Sequence, residues 1–140
     1  MPLNEEYVQI GYDIIASAFE VRNSIGRGLR EKFYEGALAY EISQKGYEVK
    51  RQVLIPAIYK GVVVEEAYKA DIIVDNRVIV EVKAVGQMKE NECRQLLTYL
   101  KMSGYKLGYL INFGVELFKT GKVSESLPYK NGIYRFVNNI

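Results

Sequence analysis

The chain has 140 residues, 49% of them apolar, a formal charge of +2 and an isoelectric point near 8.5. That suffices for one domain with its own core, is too apolar for disorder, and is too weakly basic to argue alone for nucleic-acid binding. A single cysteine, Cys93, and no histidine exclude an intramolecular disulfide, Ser-His and Cys-His nucleophile pairs, and histidine-ligated zinc.

Any metal must therefore rest mainly on carboxylates, carbonyls and water, which suit Mg²⁺, Mn²⁺ or Ca²⁺. The N-terminal stretch Met1-Pro2-Leu3-Asn4-Glu5-Glu6 lacks the basic and apolar segments of a signal peptide, and no apolar run approaches membrane-spanning length. The expectation is a cytoplasmic protein with no membrane partner.

In chain order, Asn4 is a good N-cap with Glu5 and Glu6 in the first turn, and Ile10, Ile14, Ala18 and Val21 lie on a wide apolar stripe. This predicts a core helix over 5–25. Gly26-Arg27-Gly28 breaks it. A second helix is expected from Leu29 to Lys45, with Leu29, Phe33, Ala37 and Tyr40 as one apolar face and Tyr34, Leu38 and Ile42 widening it. Glu31 lies on the same side as Tyr34. Tyr47 to Ile58 alternates as a strand does, with Pro56 pointing to an edge. Tyr59-Lys60-Gly61 is a turn, and 62–68 is a further short strand that either pairs locally or leads directly into the 69–75 run.

The next stretch, 69–84, holds two Val- and Ile-rich runs around Asp75-Asn76, a hairpin signal. Three charges interrupt it: Asp71, Glu81 and Lys83. After Gly86, a helix is expected over 89–103 with Cys93, Leu96, Leu97 and Leu100 buried. A strand over 107–113 follows, apolar enough to be covered on both faces. Strand, helix and strand make a parallel crossover unit. Residues 114–130 read as a loop and 133–137 as a final strand. The fold class is α/β, a single domain with a mixed central sheet flanked by helices.

Strand periodicity sets Glu81 and Lys83 on one face. Asp71 joins them only if the hairpin loop is odd, pairing Val74 with Val78 and hence Asp71 with Glu81. Ile72, Val74, Val78, Val80 and Val82 then form a clean core face. Two opposed carboxylates about 4 Å apart repel by roughly 4 kcal/mol at an effective dielectric near 20. Lys83 or a divalent cation must offset that. The Val82 carbonyl is well placed to add a metal ligand. The residues alone leave two readings open: a metal site, or a structural ion cluster at a strand edge.

Asp71 followed by Glu81-Val82-Lys83 resembles the D…(D/E)xK motif of the PD-(D/E)XK nuclease superfamily, whose fold is that of restriction endonucleases. Gly28-Leu29-Arg30-Glu31-Lys32-Phe33-Tyr34 fits the G-x-x-E-x-x-Y signature of the small GxxExxY proteins within it. The likeness continues through Arg51-Gln52-Val53, Tyr59-Lys60-Gly61, Gln95 to Leu100, and Leu110-Ile111-Asn112-Phe113-Gly114. One departure is Ala70, where the superfamily has a proline before the aspartate.

The resemblance implies Glu31, Asp71, Glu81 and the Val82 carbonyl around Mg²⁺ (or Mn²⁺), and Lys83 as the catalytic lysine. Gln95 and Tyr99 match a Q-x-x-x-Y motif that contacts the substrate strand or the lysine. The implied function is a metal-dependent nuclease acting on nucleic acid, DNA before RNA. The alternative is a non-catalytic nucleic-acid-binding or assembly module of the same fold. A homodimer through an edge at 133–137 or 62–68 is the further expectation.

Overall fold

The computed structural model describes residues 3–121 and 132–138, apart from the side chains of 65–67 and 121. Helix α1 (Glu5–Ile25) begins where Asn4 accepts a hydrogen bond from the Tyr7 amide, and ends at Gly26. Helix α2 (Glu31–Gln44) follows the Gly26–Arg30 break. Strands β1 (Val49–Tyr59) and β2 (Val62–Val74) form a long antiparallel hairpin turning on Lys60 and Gly61, both at positive φ. The 62–68 segment is thus the first half of β2 and runs directly into 69–74, one of the two arrangements expected for it.

Strand β3 (Val78–Lys83) pairs antiparallel with β2. It then crosses through helix α3 (Glu90–Ser103) to the parallel strand β4 (Leu107–Asn112). Gly104, at φ 80°, takes the left-handed conformation that ends α3. A two-residue strand β5 (Thr120–Gly121), which the sequence does not signal, and β6 (Ile133–Val137) complete the sheet. The strand order is β1-β2-β3-β4-β6-β5. Strand β6 lies between β4 and β5, but β5 pairs with it only at Ile133 and Tyr134, and β1, with Pro56, is an edge of the sheet. Residues 122–130 of the expected loop lie outside the described residues.

Both sheet faces are covered. On one, α1 and α2 pack Ile10, Ile14, Ala18, Leu38 and Ile42 onto Ile72, Val74, Val78, Val80 and Val82. On the other, α3 packs Cys93, Leu96 and Leu100 onto Ile73, Ile79 and Leu110. Sliding the hairpin by one residue would turn Asp71, Glu81 and Lys83 into the α1–α2 core, where unpaired charge is expensive, so register is firmly specified.

The face expected of α2 is corrected in part: its widening row Tyr34, Leu38 and Ile42 is buried as expected, and the row of Leu29, Phe33 and Tyr40 is not. Leu29, Phe33 and Tyr40 are exposed, and Tyr34, Glu35, Leu38, Ala39 and Ile42 point inward. Tyr34 explains the choice. Its ring stacks on Phe113 and its hydroxyl donates to the Gly26 carbonyl at 2.7 Å, so it fills the core and ties down the interhelical break together. Among the described residues no helix is long and apolar enough to cross a membrane.

Candidate active site

The turn between β2 and β3 fixes the site's register. Asp75 and Asn76 both adopt positive φ, and the Arg77 amide donates to the Val74 carbonyl at 2.9 Å. Short polar Asp and Asn tolerate that conformation. Arg77 is then one residue too many for a two-residue hairpin, so Val74 pairs with Val78 and Ile72 with Val80. The same register sets Asp71 against Glu81, as the odd-loop argument expects. The Asp71 amide donates to Glu81 Oε1 at 3.2 Å, and the Val82 amide donates to Asp71 Oδ2 at 2.8 Å.

Each carboxylate has a further partner that the sequence does not announce. Tyr68, on β2, donates its hydroxyl to Glu81 Oε1 at 2.5 Å. Gln52 faces Asp71 across the β1–β2 ladder, between the pairs Arg51–Ile72 and Val53–Ala70. Its Nε2 donates to Asp71 Oδ1 at 3.2 Å and to Glu35 Oε1 at 2.7 Å. Arg51 donates from Nε to the other Glu35 oxygen at 3.0 Å. Tyr68, Gln52 and Glu35 become visible as neighbours of the site only once register and helix rotation are known. Glu35, four residues after Glu31, reads in sequence as an ordinary helix-surface acid.

The two carboxyls differ electrostatically. Burial raises the Glu81 carboxyl to about 8, and the negative charge of Asp71 adds to the rise. The Tyr68 hydroxyl, by stabilising the anion, works against it. Glu31 opens α2, and burial is the main reason its carboxyl is raised. The Lys83 ammonium lowers it, and the charges of Asp71, Glu35 and Glu92 raise it. Glu31 therefore lies within electrostatic reach of Asp71 and of Lys83. Lys83 is half-buried and makes no ion pair among the described residues.

Behind Lys83, the Phe113 amide donates to the Lys83 carbonyl at 2.8 Å. The fully buried Asn112 clamps Val85, accepting from its amide at 3.0 Å and donating to its carbonyl at 2.9 Å. Next to this clamp Gly114 approaches so closely that an added Cβ would lie 2.5 Å from the Val85 carbonyl oxygen. The exit of β3 is thus fixed by close backbone contact.

Tyr99, on α3, stacks on Tyr68 with ring centroids 3.8 Å apart, and so meets the carboxylate pair through that ring. Gln95 is exposed. With Tyr99 it lines an open groove of about 610 Å³ between α3 and the outer β1–β2 hairpin, together with Ala57, Val64, Thr98 and Met102. The structure therefore brings Asp71 and Glu81 into direct contact, with Glu31 and Lys83 near by, and sets Gln95 and Tyr99 along one approach.

The donor set suits a hard cation. Asp71 accepts from Gln52 on Oδ1 and from the Val82 amide on Oδ2, and Glu81 accepts from Tyr68 and the Asp71 amide on Oε1; a carboxylate oxygen has more than one acceptor site. Among the described residues no group of three or more His, Cys, Asp or Glu side chains could hold a metal ion. Two carboxylates do suffice for Mg²⁺, which keeps several waters and takes further ligands from phosphate.

A family model described as the PD-(D/E)XK nuclease superfamily matches residues 8–124. Neither a curated protein nor a solved structure matches the chain.

Proposed function

The chain belongs to the PD-(D/E)XK nuclease superfamily, and from that premise we propose that it is a metal-dependent nuclease that hydrolyses phosphodiester bonds, with DNA its first substrate before RNA. Nucleic acid as substrate and a divalent metal such as Mg²⁺ are general to that superfamily. The observation that carries the reading is the opposition of Asp71 and Glu81 across the hairpin. Without a cation the pair keeps a proton on Glu81 near neutral pH, and a divalent ion is what such a pair accepts in its place.

Asp71 and Glu81 hold Mg²⁺ or Mn²⁺, with the Val82 carbonyl as a further oxygen. Glu31, at the start of α2, orders water around the ion. A cation there supplies Lewis acidity, acidifying water and neutralising charge on phosphate. Lys83, in no ion pair among the described residues, orients the attacking water and stabilises the charge that develops on the phosphoryl oxygens. Gln95 meets the substrate strand along the α3 groove. Tyr99 does so from the same side while bracing Tyr68. Gly28, Glu31 and Tyr34 support a place among the GxxExxY proteins, and a second copy of the chain is the partner we propose for covering the substrate.

The test is cleavage of single- and double-stranded DNA with Mg²⁺, Mn²⁺ or chelator, by wild type and Lys83→Ala. Wild type cuts only with metal, and the variant loses about 10²–10⁴-fold in rate, the span of a positioned proton-transfer group. Equal cutting by both, or by neither, sinks the catalytic reading. Salt-dependent DNA binding without cleavage replaces it with the binding module.

A further inference from the structure

Glu35 is a carboxylate 1% exposed in the middle of α2. A charge in that position is expensive unless paired, and an apolar residue would serve the core better. Gln52 is unusual in a second, independent way. Its φ is 53°, the left-handed region, in a strand and in a residue with a β-carbon. That conformation costs on the order of 1–3 kcal/mol and persists only where the surroundings dictate it. Glycine would suit the backbone better, so the side chain must do something glycine does not.

We propose that Gln52 and Glu35 are positioning residues for Asp71, with Glu35 setting the orientation of the Gln52 amide and Gln52 fixing the Asp71 carboxylate for a cation. This rests on the metal-site reading above. Nε2 of Gln52 stands between two carboxylates, 2.7 Å from Glu35 and 3.2 Å from Asp71. An ionised carboxylate only accepts hydrogen bonds, so the amide can present only its NH₂ end there. Glu35 thereby makes the Gln52 amide a fixed donor, and Arg51 balances the Glu35 charge from the surface. Asp71 then has a donor on each oxygen, Gln52 on Oδ1 and the Val82 amide on Oδ2. Both are carried by the sheet, so the carboxylate plane cannot turn, and the lone pairs left over keep one direction. The sequence order hides this device: Glu35 comes from α2, Gln52 from β1, Asp71 from β2 and Val82 from β3.

The test uses Mn²⁺ as the probe, titrated calorimetrically into the full chain, with thermal unfolding followed in parallel. Gln52→Gly keeps the backbone conformation and removes the donor. It is expected to weaken Mn²⁺ binding ten- to hundredfold, the loss typical when the partner of a ligand is removed. Glu35→Gln weakens it in the wild-type background but changes it less than twofold in the Gln52→Gly background, because Glu35 acts through Gln52. Gln52→Gly with a lower melting temperature but wild-type Mn²⁺ affinity overturns the proposal, since that is the signature of a purely structural residue. Equal losses from Glu35→Gln in both backgrounds overturn the relay. If Glu35→Gln does not fold, the Gln52→Gly titration still decides. Wild type that binds no Mn²⁺ defeats the metal-site reading, and this inference with it. Wild type that binds while Gln52→Gly binds equally well defeats this inference alone.

Discussion

Asp71 and Glu81 face one another across one hairpin, yet they are held by opposite kinds of chemistry. Asp71 is gripped by amide donors, Gln52 and the Val82 backbone, one on each oxygen. Glu81 is buried against two stacked tyrosines and receives the Tyr68 hydroxyl and the Asp71 amide on a single oxygen. Burial dominates there and pushes its carboxyl up to about 8. One member of the pair is therefore held by a donor on each oxygen. The other is buried and keeps its proton to well above the usual carboxylate range. Two identical carboxylates would simply repel; two unequal ones can wait without metal at little cost.

The largest effect expected from breaking this asymmetry is a sign reversal between two isosteric changes. Asp71→Asn replaces one acceptor oxygen by NH₂, which must face either the Gln52 amide or the Val82 N–H. It is expected to lower stability by about 1–3 kcal/mol, the range for a buried donor left unsatisfied. Glu81→Gln instead mimics the protonated carboxyl. The unfolded chain releases the Glu81 proton near pH 4.5, whereas the folded chain keeps it until about pH 8. Between those values the native state binds more protons, so wild-type stability falls as pH rises through that window. Glu81→Gln flattens the fall, matching wild type at pH 5 and exceeding it at pH 8.5 in chelator. Urea unfolding at the two pH values measures both arms. A wild-type profile that rises between pH 5 and 8 contradicts the assignment of the stored proton to Glu81.

The hairpin was legible in sequence because it obeys the simplest rule in the chain. Ile72, Val74, Val78, Val80 and Val82 alternate cleanly, and only an odd loop keeps them on one side, so the pairing of Asp71 with Glu81 follows from Val and Ile positions alone. The crossover through α3 was legible for the same reason, its strands and helix having unmixed periods. Helix α2 was not. Leu29, Phe33 and Tyr40 offer a better apolar stripe on paper than the face that is used, because the true inward face contains Glu35. Sequence carries no sign that an acid will be buried when its neutralising partners, Arg51 and Gln52, arrive from another strand. Gln52 hides doubly, since glutamine signals neither a left-handed backbone nor a metal site. What stayed illegible is thus the long-range polar chemistry, and what could be read is the short-range apolar pattern.

An intermediate effect is expected from Tyr68→Phe. The phenol donates to Glu81 and so lowers its carboxyl, while burial raises it. Without the hydroxyl the Glu81 carboxyl rises further, and its buried Oε1 keeps only the Asp71 amide. A hydrogen bond to a charged group contributes about 1.5–3 kcal/mol, so Mn²⁺ affinity at pH 7 should fall about tenfold or more. The half-point of its pH dependence should move upward, because more alkaline solution is needed to free Glu81 for the metal. Affinity measured calorimetrically from pH 6 to 9 checks both. An unchanged pH profile would mean that the tyrosine is packing and nothing else.

The smallest effect belongs to Tyr99, one step further from the pair. Its ring lies nearly parallel to that of Tyr68, 20° apart in plane, and aromatic pairs of this kind contribute about 0.5–1.5 kcal/mol beyond buried area. Tyr99→Phe keeps the stack and should leave the melting temperature near wild type. Tyr99→Ala removes the stack and should lower stability by about 1–3 kcal/mol, with a smaller fall in Mn²⁺ affinity than Tyr68→Phe produces. The order matters more than the sizes. If Tyr99 acts on Glu81 by bracing Tyr68, then Tyr99→Ala made in the Tyr68→Phe background should shift Mn²⁺ affinity less than it does alone, since the hydroxyl whose position it secures is already gone. Equal shifts in both backgrounds would mean that Tyr99 reaches the metal by some route other than the tyrosine stack. The contrast between an amide-held Asp71 and a tyrosine-held Glu81 would then lose its outer support.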